Sequence, residues 1–233
     1  MNPFLLFEWK LIIRNKRLRQ ILILIVPSIL IFYLMILGSN FVFFGYFIWR
    51  ILFLIALLAL PGTFYAPLCL TSNASFVEKL LTTNPKALFY SLQAKYYLYC
   101  IFSLIMLLSI LPSIFIGVKI IEIISSFLFS IGFMHFLLFH CSLLSYQPLD
   151  IKSTSFYNLQ GLTFLNQFIP ILFFTFILGF IALMNWFFDE KITLIIISTI
   201  GIIFISMHKL WLRTICSHFE KTKYRRIECF REK

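Results

Sequence analysis

Residues 97–117, YLYCIFSLIMLLSILPSIFIG, and residues 121–145, IEIISSFLFSIGFMHFLLFHCSLLS, follow one another with only Val118, Lys119 and Ile120 between them. A membrane-crossing helix takes about 20 apolar residues, and each stretch is long enough. Working outward, the runs 21–38, 47–70, 168–187 and 192–210 meet or approach the same length. The expected fold is all-α: a single transmembrane domain over residues 1–233 with six spans and short connections. The ten-residue alternation of an outer-membrane barrel is absent, and no internal repeat is evident.

Composition leads to the same class. The chain is 61% hydrophobic and 12% charged, with mean hydropathy +0.96, whereas soluble domains are about 45–50% apolar and about 25% charged. A soluble enzyme and a disordered chain are both excluded by these proportions.

The net charge of +11 reports topology. With six spans, 17 of the 20 Lys and Arg residues fall on the side of the two termini, and only Arg50, Lys119 and Lys191 fall on the other. The positive-inside rule makes that side cytoplasmic. Against six acidic residues there the 17 give +11, and the opposite face is neutral, so the charge is no evidence for nucleic acid. Trp9, Trp49, Trp186 and Trp211 fall near span ends, where amphipathic rings prefer to sit. The first apolar run has a strongly basic flank and no small-x-small site after it, and is expected to stay in the mature protein. The cysteines at 69, 100, 141, 216 and 229 lack zinc spacing and all lie toward the cytoplasm, where thiols stay reduced.

Away from their ends the spans carry no Asp, Glu, Lys or Arg except Arg50, close enough to the outer end of the second span to snorkel; Glu122 is assigned to the outer face. Carriers driven by protons or sodium commonly place an ionisable group near the midplane, so self-powered transport is disfavoured. His135 and His140 are the intramembrane titratable candidates; five residues of spacing turn them about 140° apart on a helix, so they do not readily share one metal. Either one serves as a ligand, or both are packed structural histidines. No carboxylate pair, Ser with a base, or His-Glu zinc motif can be assembled. No catalytic residue, metal site or cofactor is expected. Pro27, Pro61 followed by Gly62, Pro112 and Pro170 can kink four of the spans, and Ser126 with Ser130 and Thr175 with Gly179 permit close helix contact.

The polar segments are more specific. In residues 4–19, FLLFEWKLIIRNKRLR, Leu5, Leu6, Trp9, Ile12 and Ile13 share one arc while Glu8, Lys10, Arg14 and Asn15 fall outside it. The pattern fits an interfacial helix, with Lys16 and Arg17 adding to its charge, or a basic anchor that only fixes topology. Between spans two and three, Ser75 and Glu78 form a capping box that starts a helix near Phe76, and Asn84-Pro85 is a second start signal. That loop is either a lever for a soluble partner or an ordinary connector. Residues 211–233 form a basic tail.

The stretches FEWKLIIRNKRLRQ, EKLLTTNPKALFYSLQAKYYL, KSTSFYNLQG and KYRRIECFREK resemble the ABC-2-type permeases of the Bacteroidetes, in particular the C-terminal half of longer integral membrane proteins there. The resemblance implies six spans, cytoplasmic termini in the inner membrane, an interfacial helix over Glu8 to Arg19 and a coupling helix between spans two and three. It further implies that the chain works as a homodimer or with a second permease chain, driven by a separate ATPase. The coupling contact would fall on Phe76, Glu78, Lys79, Leu81, Asn84, Pro85 and Lys86. Asn84 stands where an Arg often precedes the Pro in that group. No G-x-x-x-x-G-K-[ST] loop is present, so ATP chemistry is expected in the partner. The expected function is the permease subunit of an ATP-driven exporter, with anionic lipid headgroups facing its basic surface. The alternatives are a membrane scaffold or sensor using that surface, and an intramembrane enzyme centred on His135 or His140.

Overall fold

The computed structural model describes residues 3–14, 23, 26–34, 46–66, 69, 85–144 and 164–222. Among them all regular structure is helical. Helix α1 is Pro3–Arg14, α2 covers 26–34, and α3 is Phe47–Tyr65. Helix α4 begins at Pro85, where the Asn84-Pro85 signal places it, and runs to Ile110 before tightening into a 3₁₀ segment, Leu111–Ile116. Helix α5, Ile120–Phe129, passes through a π turn, Ser130–Met134, into α6, His135–Cys141. Helices α7, Phe164–Phe187, α8, Glu190–Ser206, and α9, His208–Lys221, complete the described chain.

The α4–α5 link is a sharp hairpin because Gly117 sits at φ 101°, a conformation open to glycine at little cost. Its N–H returns to the Ile114 carbonyl at 3.2 Å. Pro112 lies at the start of the 3₁₀ segment, where its missing N–H costs little; it ends α4 and does not kink it midway.

Helix α3 is central because it is apolar on more than one face. Phe47, Ile51, Ile55 and Ala59, four residues apart, pack with Phe129, Met134, Ile177, Ile181, Leu194 and Ile197 of α5, the π turn, α7 and α8. Leu54, Leu57 and Leu58 face Phe32 of α2, Met106 and Ile110 of α4 and Ile123 of α5. The Tyr33 hydroxyl donates to the Ser109 carbonyl at 2.7 Å, tying α2 to α4.

Helices α5 and α8 cross at glycines. A Cβ on Gly201 would lie 2.5 Å from the Leu128 carbonyl, and one on Gly132 would strike the Gly201 carbonyl. The two backbones therefore touch, the use of small residues that permits close helix packing. Ser126 and Ser130 are buried as expected, with Ser130 Oγ donating to the Ile55 carbonyl at 3.1 Å. Gly179 faces open space and Thr175 is exposed, so that pair builds no backbone crossing like that of Gly132 and Gly201 among the described residues.

The sixth expected span ends early. At Met207 the helix leaves α geometry and α9 turns 59° away from α8. The carbonyls this frees are taken by side chains: Trp211 Nε1 donates to the Phe204 carbonyl at 3.1 Å and His208 Nδ1 to that of Ile205 at 2.8 Å. Trp211 is thus buried and not an interfacial belt residue, and residues 211–221 of the expected basic tail join 208–210 of the expected span in an amphipathic helix.

Among the described residues two helices are long and apolar enough to cross a membrane, Lys86–Phe115 and Ile120–Cys141. The bent pair α8–α9 makes a third if it counts as one span, and Phe47–Thr63 and Leu172–Phe187 are shorter apolar helices. This is fewer than the six spans expected. Part of the difference lies in segment 21–38, of which only residue 23 and residues 26–34 are described.

Candidate functional site

The amino end of α4 is enclosed by α1 and α9, and here the polar residues converge. On α4, Ser91 and Lys95 are one helical turn apart and share a face. Opposite them α1 presents Glu8, whose Oε1 accepts from Ser91 Oγ at 2.9 Å and lies 3.8 Å from Lys95 Nζ. Lys95 Nζ also donates to the Cys69 carbonyl, beyond the end of α3. Glu8 is 3% and Lys95 5% exposed. Two buried charges are tolerable when each meets the other and further polar atoms, and this node meets that condition with groups from three segments.

The node adds a buried face to α1 that its apolar arc does not announce. Glu8, outside the arc, and Ile12, within it, face inward, while Leu6, Trp9 and Ile13 of the arc are 37–45% exposed. A helical wheel ranks side chains by polarity alone; a carboxylate takes the inner position here because α4 offers an ammonium and a hydroxyl at that height. Lys10 and Arg14 are exposed, as expected. Lys16 and Arg17 lie outside the described residues, as do Phe76, Glu78, Lys79, Leu81 and Asn84. Pro85 and Lys86 of the expected coupling segment form the first turn of α4.

Beside that turn is a cleft of about 460 Å³. Helix α4 contributes Lys86, Phe89 and Tyr90, and α9 contributes Arg213, Ser217 and Glu220, spaced to share one face. The Arg213 guanidinium carbon lies 5.8 Å from the Phe89 ring centroid, within cation–π range. Cys216 also lines the cleft; burial, aided by the Glu220 carboxylate, pushes its thiol up to about 12. Below the cleft His208 stacks on Tyr96 at 5.3 Å, and Tyr96 meets Trp211 edge-on at 5.4 Å.

The two candidate histidines are held apart. His135 Nδ1 donates to the Ser130 carbonyl at 2.6 Å, and His140 Nδ1 to that of Phe136 at 2.8 Å. The buried Nε2 of His135 has no hydrogen-bond partner among the described residues, and a Cβ on Gly62 would lie 2.9 Å from it. It is packed against Gly62 of α3. Among the described residues no group of three or more His, Cys, Asp or Glu is placed to hold a metal ion.

At the opposite, hairpin end the structure corrects the reading of Arg50 and Glu122. Arg50 does not reach out alone. Its Nε and Nη2 each lie 2.7 Å from an oxygen of Glu122, a two-pronged pair whose carboxylate is fully buried. Lys119 then bridges to Glu190 at 3.2 Å and to Glu122 at 4.0 Å. Neither this pairing nor the Glu8–Lys95 node is legible by motif. The available signal was that Arg50, Lys95 and Glu122 are each isolated charges in a strongly apolar run.

No curated protein and no solved structure matches the chain. A family model described as "Family of unknown function (DUF5687)" matches residues 1–233, and the chain belongs to that family.

Proposed function

We propose that the chain is the membrane-spanning permease subunit of an ATP-driven, ABC-2-type exporter, paired with a second permease chain or its own copy and powered by a separate ATPase. The observation that carries this reading is the continuity of α4. It starts at Pro85, directly after the expected coupling residues Phe76, Glu78, Lys79 and Leu81, and continues for 26 residues, about 39 Å. Its first turns are fastened to α1 through Glu8 and packed against α9. A displacement at residues 76–84 would therefore be passed to α1, α9 and the hairpin end together, which is what a force-transmitting helix requires. The sequence contains no phosphate-binding loop, so the ATPase is a partner.

In this reading α2, α3, α4, the α5–α6 pair, α7 and α8 are the six spans, both termini face the cytoplasm, and α9 lies along the inner surface against anionic lipid headgroups. Helix α3 has 19 residues and α7 has 24, near or above the length a bilayer core demands. The test is affinity purification of the full chain in mild detergent. An ATPase should co-purify, and Glu78→Lys or Lys79→Glu should abolish that recovery. Absence of any ATPase, with partners retained through the basic carboxyl-terminal segment instead, would replace this reading with the scaffold one.

A further inference from the structure

We propose that the cleft between α4 and α9 binds the phosphoethanolamine headgroup of a membrane lipid. The cleft volume, about 460 Å³, lies within the range of ligand sites, roughly 300–1,000 Å³. Lys86 and Arg213 supply two cations, Ser217 a hydroxyl, and Glu220 a single carboxylate two turns further along α9. The Arg213 guanidinium is steadied by the Phe89 ring at 5.8 Å, and an arginine so placed presents paired donors to a phosphate.

Position selects the lipid over a soluble phosphate. The cleft sits at the amino end of the 30-residue apolar helix Lys86–Phe115, the depth at which headgroups lie if that helix crosses a bilayer. The inference rests on that membrane placement and not on any ATPase. Glu220 sets the class, since it opposes a purely anionic headgroup and accepts an ammonium.

The experiment is native mass spectrometry of the full chain in mild detergent with added phosphatidylethanolamine, phosphatidylglycerol or diacylglycerol. The variants are Lys86→Ala/Arg213→Ala, Glu220→Lys, and the control Lys10→Ala/Lys209→Ala, all at exposed positions. The wild type and the control should retain phosphatidylethanolamine in preference to both other lipids. The cleft double variant should lose at least tenfold of that adduct, and Glu220→Lys should switch the preference to phosphatidylglycerol. Equal retention by the cleft and control variants, diacylglycerol binding as strongly, or an unchanged preference in Glu220→Lys would each overturn the proposal. Since no ATPase or transport enters the assay, its failure leaves the permease reading standing, and the reverse holds.

Discussion

Replacing Lys95 by Met leaves the Glu8 carboxylate, 3% exposed, with Ser91 as its remaining partner in the node. Removing one member of a buried ion pair costs about 3–5 kcal/mol, because the stranded charge has lost its compensation, whereas replacing both by apolar groups of similar size is often neutral or stabilising. Lys95→Met and Glu8→Leu should therefore each destabilise the protein by about 3 kcal/mol. The double variant should cost about 3 kcal/mol less than the sum of the two single costs, a coupling energy of that size. The assay is reversible unfolding in mixed micelles followed by circular dichroism, with limited proteolysis of the α1 region as a local readout. Because the node fastens α1 to α4, single variants should also expose α1 to cleavage before the bundle unfolds. A coupling below about 0.5 kcal/mol, within the additivity of independent sites, would refute the argument that the two charges hold one another in place.

Arg50→Ala should cost about 3 kcal/mol by leaving fully buried Glu122 with Lys119, 4.0 Å away, as its remaining ion-pair partner, measured in the same unfolding assay, with Arg50→Ala/Glu122→Ala closer to wild type. Gly132→Ala should destabilise by about 2 kcal/mol or more, since its Cβ strikes the α8 backbone. Gly179→Ala, facing open space within a helix, should be neutral or stabilise by up to about 1 kcal/mol. Cys216, with its thiol raised to about 12, holds roughly one thiolate in 10⁴ at pH 8. Its alkylation, followed by peptide mass spectrometry, should be at least 100-fold slower than in the denatured chain. The rate should keep rising about tenfold per pH unit between pH 8 and 10, because the reactive form is still scarce there.

The fold class was legible in the sequence because it depends on local quantities: apolar run length and the Asn84-Pro85 start. The inward face of each helix was not legible. In apolar helices such as α3 and α4 nearly every position is acceptable to either lipid or protein, so periodicity carries little information about orientation. The burial of Glu8 was hidden for the converse reason: its polarity is visible, but Lys95, 87 positions away, is what makes that burial tolerable. Trp211 was likewise assigned by residue type, although its indole serves a carbonyl released by the bend at Met207. At the candidate site Lys86 lines the cleft, although the sequence assigns it only to the expected coupling segment. Arg213 and Glu220 became visible as cleft residues only once residues 208–221 proved to be a helix folded back on α4.

The π turn at Ser130–Met134 also bears on how sequences in the family are to be aligned. A π turn is one surplus residue in an α-helical register. Deleting it would rotate everything after it by about 100°, carrying His135 away from Gly62 and Phe139 away from Tyr96. Relatives with one residue fewer here would present a different side of α6 to the cluster formed by α4 and α9. A single gap in this helix therefore changes which side chains occupy the interior, and residues beyond it can be compared only after that gap has been placed.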